Sequence, residues 1–477
     1  MKTKTPKFFF AFAFLLRLIA ISILPCPLAL AAGQDISRKP NVILILVDDL
    51  GYRDLGCYGH PTIHTPVLDK LAAEGARLTD FHSGASVCTP SRMCILTGSY
   101  PVRLGWTQGV VGYKMGIRDG MSPEALTIAE IYKSEGYATG ISGKWHIGDL
   151  PATRPQSQGF DWTYYIPSSN NQTNLILNGN EIIEKPFKKR LLTQQFTDKA
   201  IEFIRTKQKE PFFLYLPYTA PHFPVEPHPE WEGRSKFGAY GDVVEELDHR
   251  IGEILATLDE LKIRERTIIV FCSDNGPQNG QQSSAVPFRG HKWSALDGAA
   301  RVPCIINWPG AIPAGRKIDD LVSAMDLLPT LSRACGIDWA AKSHGKPQID
   351  GLDVLDTLLG KTTEHPRKEL LLWHGMNAEP QAIRVGEWKL FFNRRHALEG
   401  QGADAETPEQ TAKIQPYREA LKPNVAGEPF LIHMTEDVGE LNDRSDEFPD
   451  KVKSLHDRAE ALKAEIRANT ILPIITP

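Results

Sequence analysis

The sequence predicts an α/β protein: a large, mostly parallel sheet flanked by helices, followed by a smaller C-terminal α+β subdomain with an antiparallel sheet. Three observations carry this. Continuous apolar runs rich in β-branched residues alternate with amphipathic segments, the pattern of parallel strands buried on both faces. Beyond residue 360 the pattern changes to short hairpin-like pieces. The 477 residues, 42% apolar and 23% charged, have an ordinary globular composition, which excludes a disordered chain, a collagen-like fibre, a coiled coil and a small disulfide scaffold.

Taken in order, the first element is an export segment. Lys2, Lys4 and Lys7 precede an apolar core interrupted by Arg17 and end in Leu28-Ala29-Leu30-Ala31-Ala32. This describes a signal peptide over residues 1–32 and predicts a secreted or periplasmic protein. Arg17 keeps any uncharged run short of the ~18–20 residues of a spanning helix, so no stable membrane span is expected. Without that segment the chain carries 50 basic and 58 acidic residues, a net −8. A nucleic-acid partner is not expected from such a balance.

Val42–Val47 reads as a buried strand, Pro66–Gly75 and Leu126–Gly136 as helices, and Phe212–Leu216 and Thr267–Phe271 as further strands. Between Asp242 and Lys262, Val244, Leu247, Ile251, Ile254, Leu255, Leu258 and Leu261 form one helical face. Glu369–His374, Gln381–Val385 and Trp388–Phe392 read as the later hairpins, Glu399–Glu419 as a polar loop, and Pro449–Asn469 as a closing amphipathic helix. The expected organisation is residues 33–365 as the catalytic domain and 366–477 as the C-terminal subdomain.

Two strands end in oxygen-rich pairs: Asp48-Asp49 after Val47, and Asp274-Asn275 after Ser273. Ligands collect at the carboxyl ends of strands in open α/β sheets, so these side chains could converge on a hard divalent cation such as Ca²⁺. Either pair alone could simply cap a turn; two matching pairs favour the cation. In Cys88-Thr89-Pro90-Ser91-Arg92, Pro90 suits the first turn of a helix running towards Thr97. Cys88 is then expected just before a helix N-terminus, whose free N–H groups and positive end favour an anion, with Arg92 one turn later. Cys272 and Cys304 lie in apolar runs and read as core thiols.

The segment Cys88 to Gly98 resembles the sulfatase signature Cys-x-Pro-x-Arg with its Leu-Thr-Gly ending. Asn41 to Gly59, Gly143-Lys144-Trp145-His146-Ile147-Gly148, Ala220-Pro221-His222-Phe223-Pro224 and Ser273-Asp274-Asn275-Gly276 resemble further motifs of that family, in order, across residues 40–395. The resemblance implies the alkaline-phosphatase-like sulfatase fold and a sulfuric ester hydrolase. It implies that Cys88 is oxidised to formylglycine by a formylglycine-generating or sulfatase-maturating enzyme, and that the hydrated aldehyde is the nucleophile. Asp48, Asp49, Asp274 and Asn275 would hold one Ca²⁺ with an oxygen of residue 88. Arg92 would fix the formylglycine, Lys144 would contact nucleophile and sulfate, and His146 would take the proton that re-forms the aldehyde. His222 and Lys292 would bind sulfate and assist the leaving oxygen.

The chemistry suits these types. A cation and two lysines can neutralise a sulfate ester's charge, and a geminal diol can expel sulfate by re-forming its carbonyl. Around Lys292 the sequence departs from the family, where His291 and Trp293 replace small neighbours. Trp293 is a candidate either for stacking on a sugar or for plain packing, while His60, Trp106, Asn170, Asn171 and His374 are further rim candidates, each read first as structural. Asn171-Gln172-Thr173 is also a glycosylation sequon. The substrate expected is a sulfated small molecule or glycan, with export favouring carbohydrate. Two alternatives stand beside it: a phosphoester or phosphonate hydrolase on the same fold, disfavoured by the cysteine signature, and a non-catalytic sulfated-glycan binder, which should have lost a nucleophile or lysine.

Overall fold

The computed structural model describes residues 1, 39–112, 120–280, 282–343, 348–374, 379–398 and 427–471. The signal segment and the polar stretch from Glu399 lie outside the described residues. Residues from Lys39 onward form one compact unit, separate from Met1–Arg38. Among the described residues no helix is long and apolar enough to cross a membrane.

The strands of the main sheet are β1 (Asn41–Val47), β2 (Ala76–Leu78), β4 (Ala138–Lys144), β5 (Trp162–Ile166), β6 (Ile176–Asn178), β7 (Glu181–Glu184), β8 (Phe212–Pro217), β9 (Thr267–Ser273), β10 (Cys304–Asn307) and β11 (Arg316–Ile318). The short strand β3 (Phe81–His82) pairs separately with β12 (Val322–Ser323). The sheet order is β11-β2-β10-β9-β1-β8-β4-β5-β6-β7, with a parallel centre from β9 to β5, antiparallel pairs on either side of it and a parallel edge pair β2–β11. β1 shows why its residues are apolar without interruption. Val42, Leu44 and Leu46 enter the core on one face, and Ile43, Ile45 and Val47 the core on the other.

Helices cover both faces. α1 (Pro66–Ala73) packs on the second face, α2 (Cys88–Thr97) and α3 (Ile128–Ser134) on the first, and α4 (Leu192–Lys207) and α5 (Gly238–Glu260) on the second. Thr127 and Glu130 form a capping box that starts α3 two residues later than the hydrophobic pattern suggests. The later sheet has the order β13 (Glu369–Leu372), β14 (Ala382–Val385), β15 (Trp388–Phe391), β16 (Phe430–His433), all antiparallel, with the helix Pro449–Ala468 against it. Cys272 and Cys304 face each other across β9 and β10 as buried free thiols.

Two acids on α5 couple this packing to pH. Asp248 accepts from the N–H groups of Val67 (3.1 Å) and Leu68 (2.8 Å), capping α1, and Glu246 accepts from the N–H of His228 (3.0 Å). Burial pushes both carboxyls up to about 7, against the hydrogen bonds that favour their charged forms. Their native forms thus bind protons that the unfolded chain has released. Unfolding free energy should therefore fall as pH rises from about 4 to 7. Glu246→Gln should flatten that slope in denaturant titrations across the window, whereas an unchanged slope would contradict the assignment.

Candidate active site

The loops at the carboxyl ends of β1, β4, β8 and β9 meet the first turn of α2, as the strand-end pairs foretold. Val87 is extended and acts as the cap, so Cys88 is the first residue of the helix rather than the one before it. Its side chain remains at the positive helix end. The residues between the signature positions are tethers. Thr89 Oγ1 donates to the carbonyl of His146 (2.7 Å) and accepts from the N–H of Val111 (3.0 Å), and Ser91 Oγ donates to the carbonyl of Asp274. Arg92 donates to Asp274 Oδ2 through Nε (2.9 Å) and to the carbonyl of Lys144 through Nη1 (2.9 Å). One helical turn thus holds the segments that follow β4 and β9. Only the roles of Cys88 and Arg92 were visible in sequence, because Thr89 and Ser91 are ordinary helix-start residues.

Three carboxylates and three cationic side chains interlock here, all buried. Lys144 Nζ lies 2.6 Å from Asp48 Oδ2, Lys292 Nζ 2.6 Å from Asp49 Oδ1, and Arg92 Nη2 2.7 Å from Asp274 Oδ2. Lys292 Nζ also reaches Cys88 Sγ at 3.0 Å, and Sγ lies 3.4 Å from Asp48 Oδ1. Burial alone would raise Asp48, but Lys144, His222, Arg92 and Lys292 together hold it well below the usual carboxylate range. Burial would lower Lys292, but Asp49, Cys88 and Asp48 outweigh it and keep the ammonium charged. The Cys88 thiol is pushed up to about 12 by burial, reinforced by Asp48 and opposed by the two lysines.

Asp274-Asn275 and Asp48-Asp49 do converge. The N–H of Asp49 donates to Asp274 Oδ1 (3.3 Å) and Asn275 Nδ2 to Asp49 Oδ1 (2.7 Å). Asn275 Nδ2 also donates to the carbonyl of Gly276 (2.8 Å). Both amide hydrogens are thereby used, and Asn275 Oδ1 and Asp49 Oδ2 are left buried without a hydrogen-bond donor. Two orphaned hard oxygens are what a cation such as Ca²⁺ would satisfy, so the residues fit one. Ligand atoms of Asp48, Asp49, Cys88 and His222 lie within 4.8 Å of one another, which adds His222 to the groups gathered here. Asp274 spans both sides, its Oδ2 meeting Arg92 and its Oδ1 the N–H of Asp49.

Both histidines have one nitrogen anchored. His146 Nε2 lies 2.6 Å from the carbonyl of Val111, so it carries the hydrogen, and Nδ1 is a buried lone pair without a partner. Burial, then Lys144 and Arg92, hold His146 well below its ordinary value. His222 Nδ1 donates to the carbonyl of Phe223 (2.5 Å), leaving Nε2 3.6 Å from Asp49 Oδ2. Burial lowers it to about 4 despite Asp48 and Asp49. Five non-glycine residues among those described have left-handed backbone; Asp49 (φ 66°), His146 (62°) and Trp293 (74°) are three of them.

A cavity of about 470 Å³ opens above these groups, walled by Ser169, Asn171, Gln172, Gln278, Asn279 and Trp293 over a floor of Cys88, His146, His222 and Lys292. Of the rim candidates, Trp293 and Asn171 line it. His60 instead accepts from the N–H of Ile63 (2.8 Å), and buried Trp106 donates to the carbonyl of Gly109 (2.8 Å). The backbone N–H of His374 donates to Gln381 Oε1 (2.7 Å), and Asn170 is buried without lining the cavity. With Asn171 in the wall, a glycan on its sequon would occupy the cavity.

The loop bearing Lys292 is clamped from the later sheet, an arrangement invisible in sequence. Arg289 donates through Nε to the carbonyl of Gly439 (2.9 Å), and the N–H of Asp297 donates to Glu440 Oε2 (2.7 Å). Lys389 Nζ on β15 lies 2.8 Å from Asp297 Oδ1 and 2.6 Å from Glu440 Oε1, all three side chains being fully buried. Glu440 is itself left-handed (φ 55°).

The Sulfatase family profile matches residues 40–337. The chain is 36% identical to human arylsulfatase A over 399 residues, covering 76% of this chain and 77% of that protein. It is 35% identical to N-acetylgalactosamine-6-sulfatase of Canis lupus familiaris over 398 residues, covering 76% and 73%. A solved sulfatase from Pseudoalteromonas sp. superposes with a TM-score of 0.77 at 26% identity, over 91% of this chain and 92% of that one.

Removing the ammonium that joins Asp297 to Glu440 would take from both buried carboxylates their nearest cation, leaving Asp297 with Arg301 at 3.5 Å. Lys389→Met should therefore cost about 3–5 kcal/mol in denaturant unfolding. A cost below about 1 kcal/mol would show that the clamp is not held by this charge.

Proposed function

The chain belongs to the sulfatase family and is a sulfuric ester hydrolase, and we propose that it removes sulfate from a carbohydrate by means of a formylglycine made from Cys88 beside one Ca²⁺. The state of Cys88 carries this reading. As a thiol pushed up to about 12, it holds almost no thiolate at neutral pH and is a poor nucleophile. Yet Lys292 reaches its sulfur at 3.0 Å, and a helix N-terminus, a cavity and two histidines surround it. Conversion to formylglycine would supply, on hydration, a hydroxyl able to attack sulfur and a second whose loss of a proton reopens the aldehyde. Cys88 is 1% exposed, so a formylglycine-generating or sulfatase-maturating enzyme would have to act before folding closes the site.

Asp48, Asp49, Asp274 and Asn275 would hold the Ca²⁺, which supplies positive charge against a sulfate oxygen and the nucleophile. The chain's own groups do the rest. Lys292 lines the floor of the cavity and Lys144 lies buried against Asp48, and the two ammonium groups would offset the ester's charge. Arg92 fixes residue 88 indirectly, by holding Asp274 and the Lys144 carbonyl against α2. His146 receives a proton at Nδ1, since its Nε2–H is committed to Val111. His222, neutral with Nδ1–H committed to Phe223, offers Nε2 to the same space, while Lys292 can donate to the leaving oxygen. Amide groups and Trp293 on the wall suit a hydroxylated ring. The export segment, with its positive start and small-residue exit, supports a secreted or periplasmic site of action. The expected organisation into residues 33–365 and 366–477 places every proposed catalytic and metal-binding residue in the first part.

Protein produced with a maturating enzyme should release sulfate from a sulfated sugar, and Cys88→Ala should abolish release without lowering the melting temperature. Chelation followed by Ca²⁺ at a hundredfold excess over Kd should add about 2.7 kcal/mol of stability, a gain that Asn275→Ala should reduce. Turnover by Cys88→Ala, or no response to Ca²⁺, would contradict the proposal.

A further inference from the structure

The loop after β5 carries an unusual set of unmet acceptors. Its backbone turns on itself, with the N–H groups of Gln172 (2.8 Å) and Thr173 (3.1 Å) donating to the carbonyl of Ser169. Its side chains are not similarly served. Ser168 Oγ, Asn170 Oδ1, Asn171 Oδ1 and Gln172 Oε1 are all buried without a hydrogen-bond partner among the described residues. Four such atoms within five residues need donors from elsewhere, because buried polar groups are almost always paired. Two of the four residues, Asn171 and Gln172, wall the cavity over Cys88 and Lys292.

Gln172 is seated by an absence of side chain. A Cβ built on Gly112 would lie 1.7 Å from Gln172 Oε1 and 2.6 Å from Cδ. Any other residue at 112 must displace the amide from the wall. The backbone of Gly112 is not in the left-handed region, so glycine is required for space and not for conformation.

We propose that Asn171 and Gln172, the two of these four residues that wall the cavity, read the non-sulfated part of the substrate, a hydroxyl-rich sugar ring whose hydroxyls pair with their amides, and that Gly112 sets specificity by seating Gln172. The inference rests on the sulfate-ester reading above. A sugar brings the donors that the loop lacks; an aryl group brings none. The departure at Trp293 fits the same picture, since its left-handed backbone places an aromatic residue on the cavity wall beside these amides.

The test compares kcat/KM for 4-nitrophenyl sulfate with that for a panel of monosulfated neutral pyranoses, using full-length protein matured at residue 88. Gly112→Ala and Gln172→Met should each lower the value for the best sugar sulfate by about 10–100-fold, while the aryl sulfate changes less than about 3-fold. The double variant should be no worse than Gln172→Met alone, because the glycine acts through the glutamine. Gln172→Met keeps the test decisive should Gly112→Ala fail to fold. Equal losses on both substrates, additive losses in the double variant, or no loss on the sugar would overturn the assignment. Wild-type turnover of the aryl sulfate but of no sugar would overturn it and leave the sulfatase reading intact. Turnover of neither would overturn both.

Discussion

The interlock of three buried carboxylates with three buried cationic groups is the constraint on which the site depends. Asp48, Asp49 and Asp274 could not share one small volume unless Lys144, Lys292 and Arg92 were brought to them. Each partner arrives from a different part of the chain: the ends of β1, β4 and β9, the second turn of α2, and the loop that follows β9. The sheet order makes this meeting compulsory, because β1 lies between β8 and β9, and β4 lies beyond β8. The charge pairs prepare a place for added positive charge, since they leave Asn275 Oδ1 and Asp49 Oδ2 without donors.

Holding such a site costs backbone strain, and four of the five left-handed non-glycine residues described lie at the site or its clamp, Lys262 after α5 being the fifth. Asp49, His146 and Trp293 are left-handed at the cavity, and Glu440 is left-handed where the later sheet grips the Lys292 loop. The C-terminal sheet therefore does more than cover the core. Through Lys389, Glu440 and the backbone carbonyls met by Arg289, it sets where Lys292 can lie.

Much of this was legible in the residues. β1, β8, β9 and α5 announce themselves because burial on one or two faces leaves an apolar run or stripe, and the two acidic pairs are legible because they follow such runs. β4, with the sequence ATGISGK, was not. A Cβ on Gly140 would meet Phe203 at 2.7 Å and one on Gly143 the carbonyl of Pro217 at 2.0 Å, so close packing demands the small residues that erase a strand signal. The Lys389 clamp joins positions 92 residues apart, and no local pattern records such a pair. The polarity of residues 168–172 hid a cavity wall for a similar reason: sequence shows the amide types, and only the fold shows that four of their side-chain oxygens find no partner among the described residues.

The central claim is that position 88 is not a cysteine in the working protein. Mass spectrometry of the peptide containing residue 88, on protein shown to turn over a sulfate ester, tests it most directly. The account predicts an aldehyde in place of the thiol, in a fraction that scales with specific activity across preparations. Full activity from protein carrying only the intact thiol would contradict it.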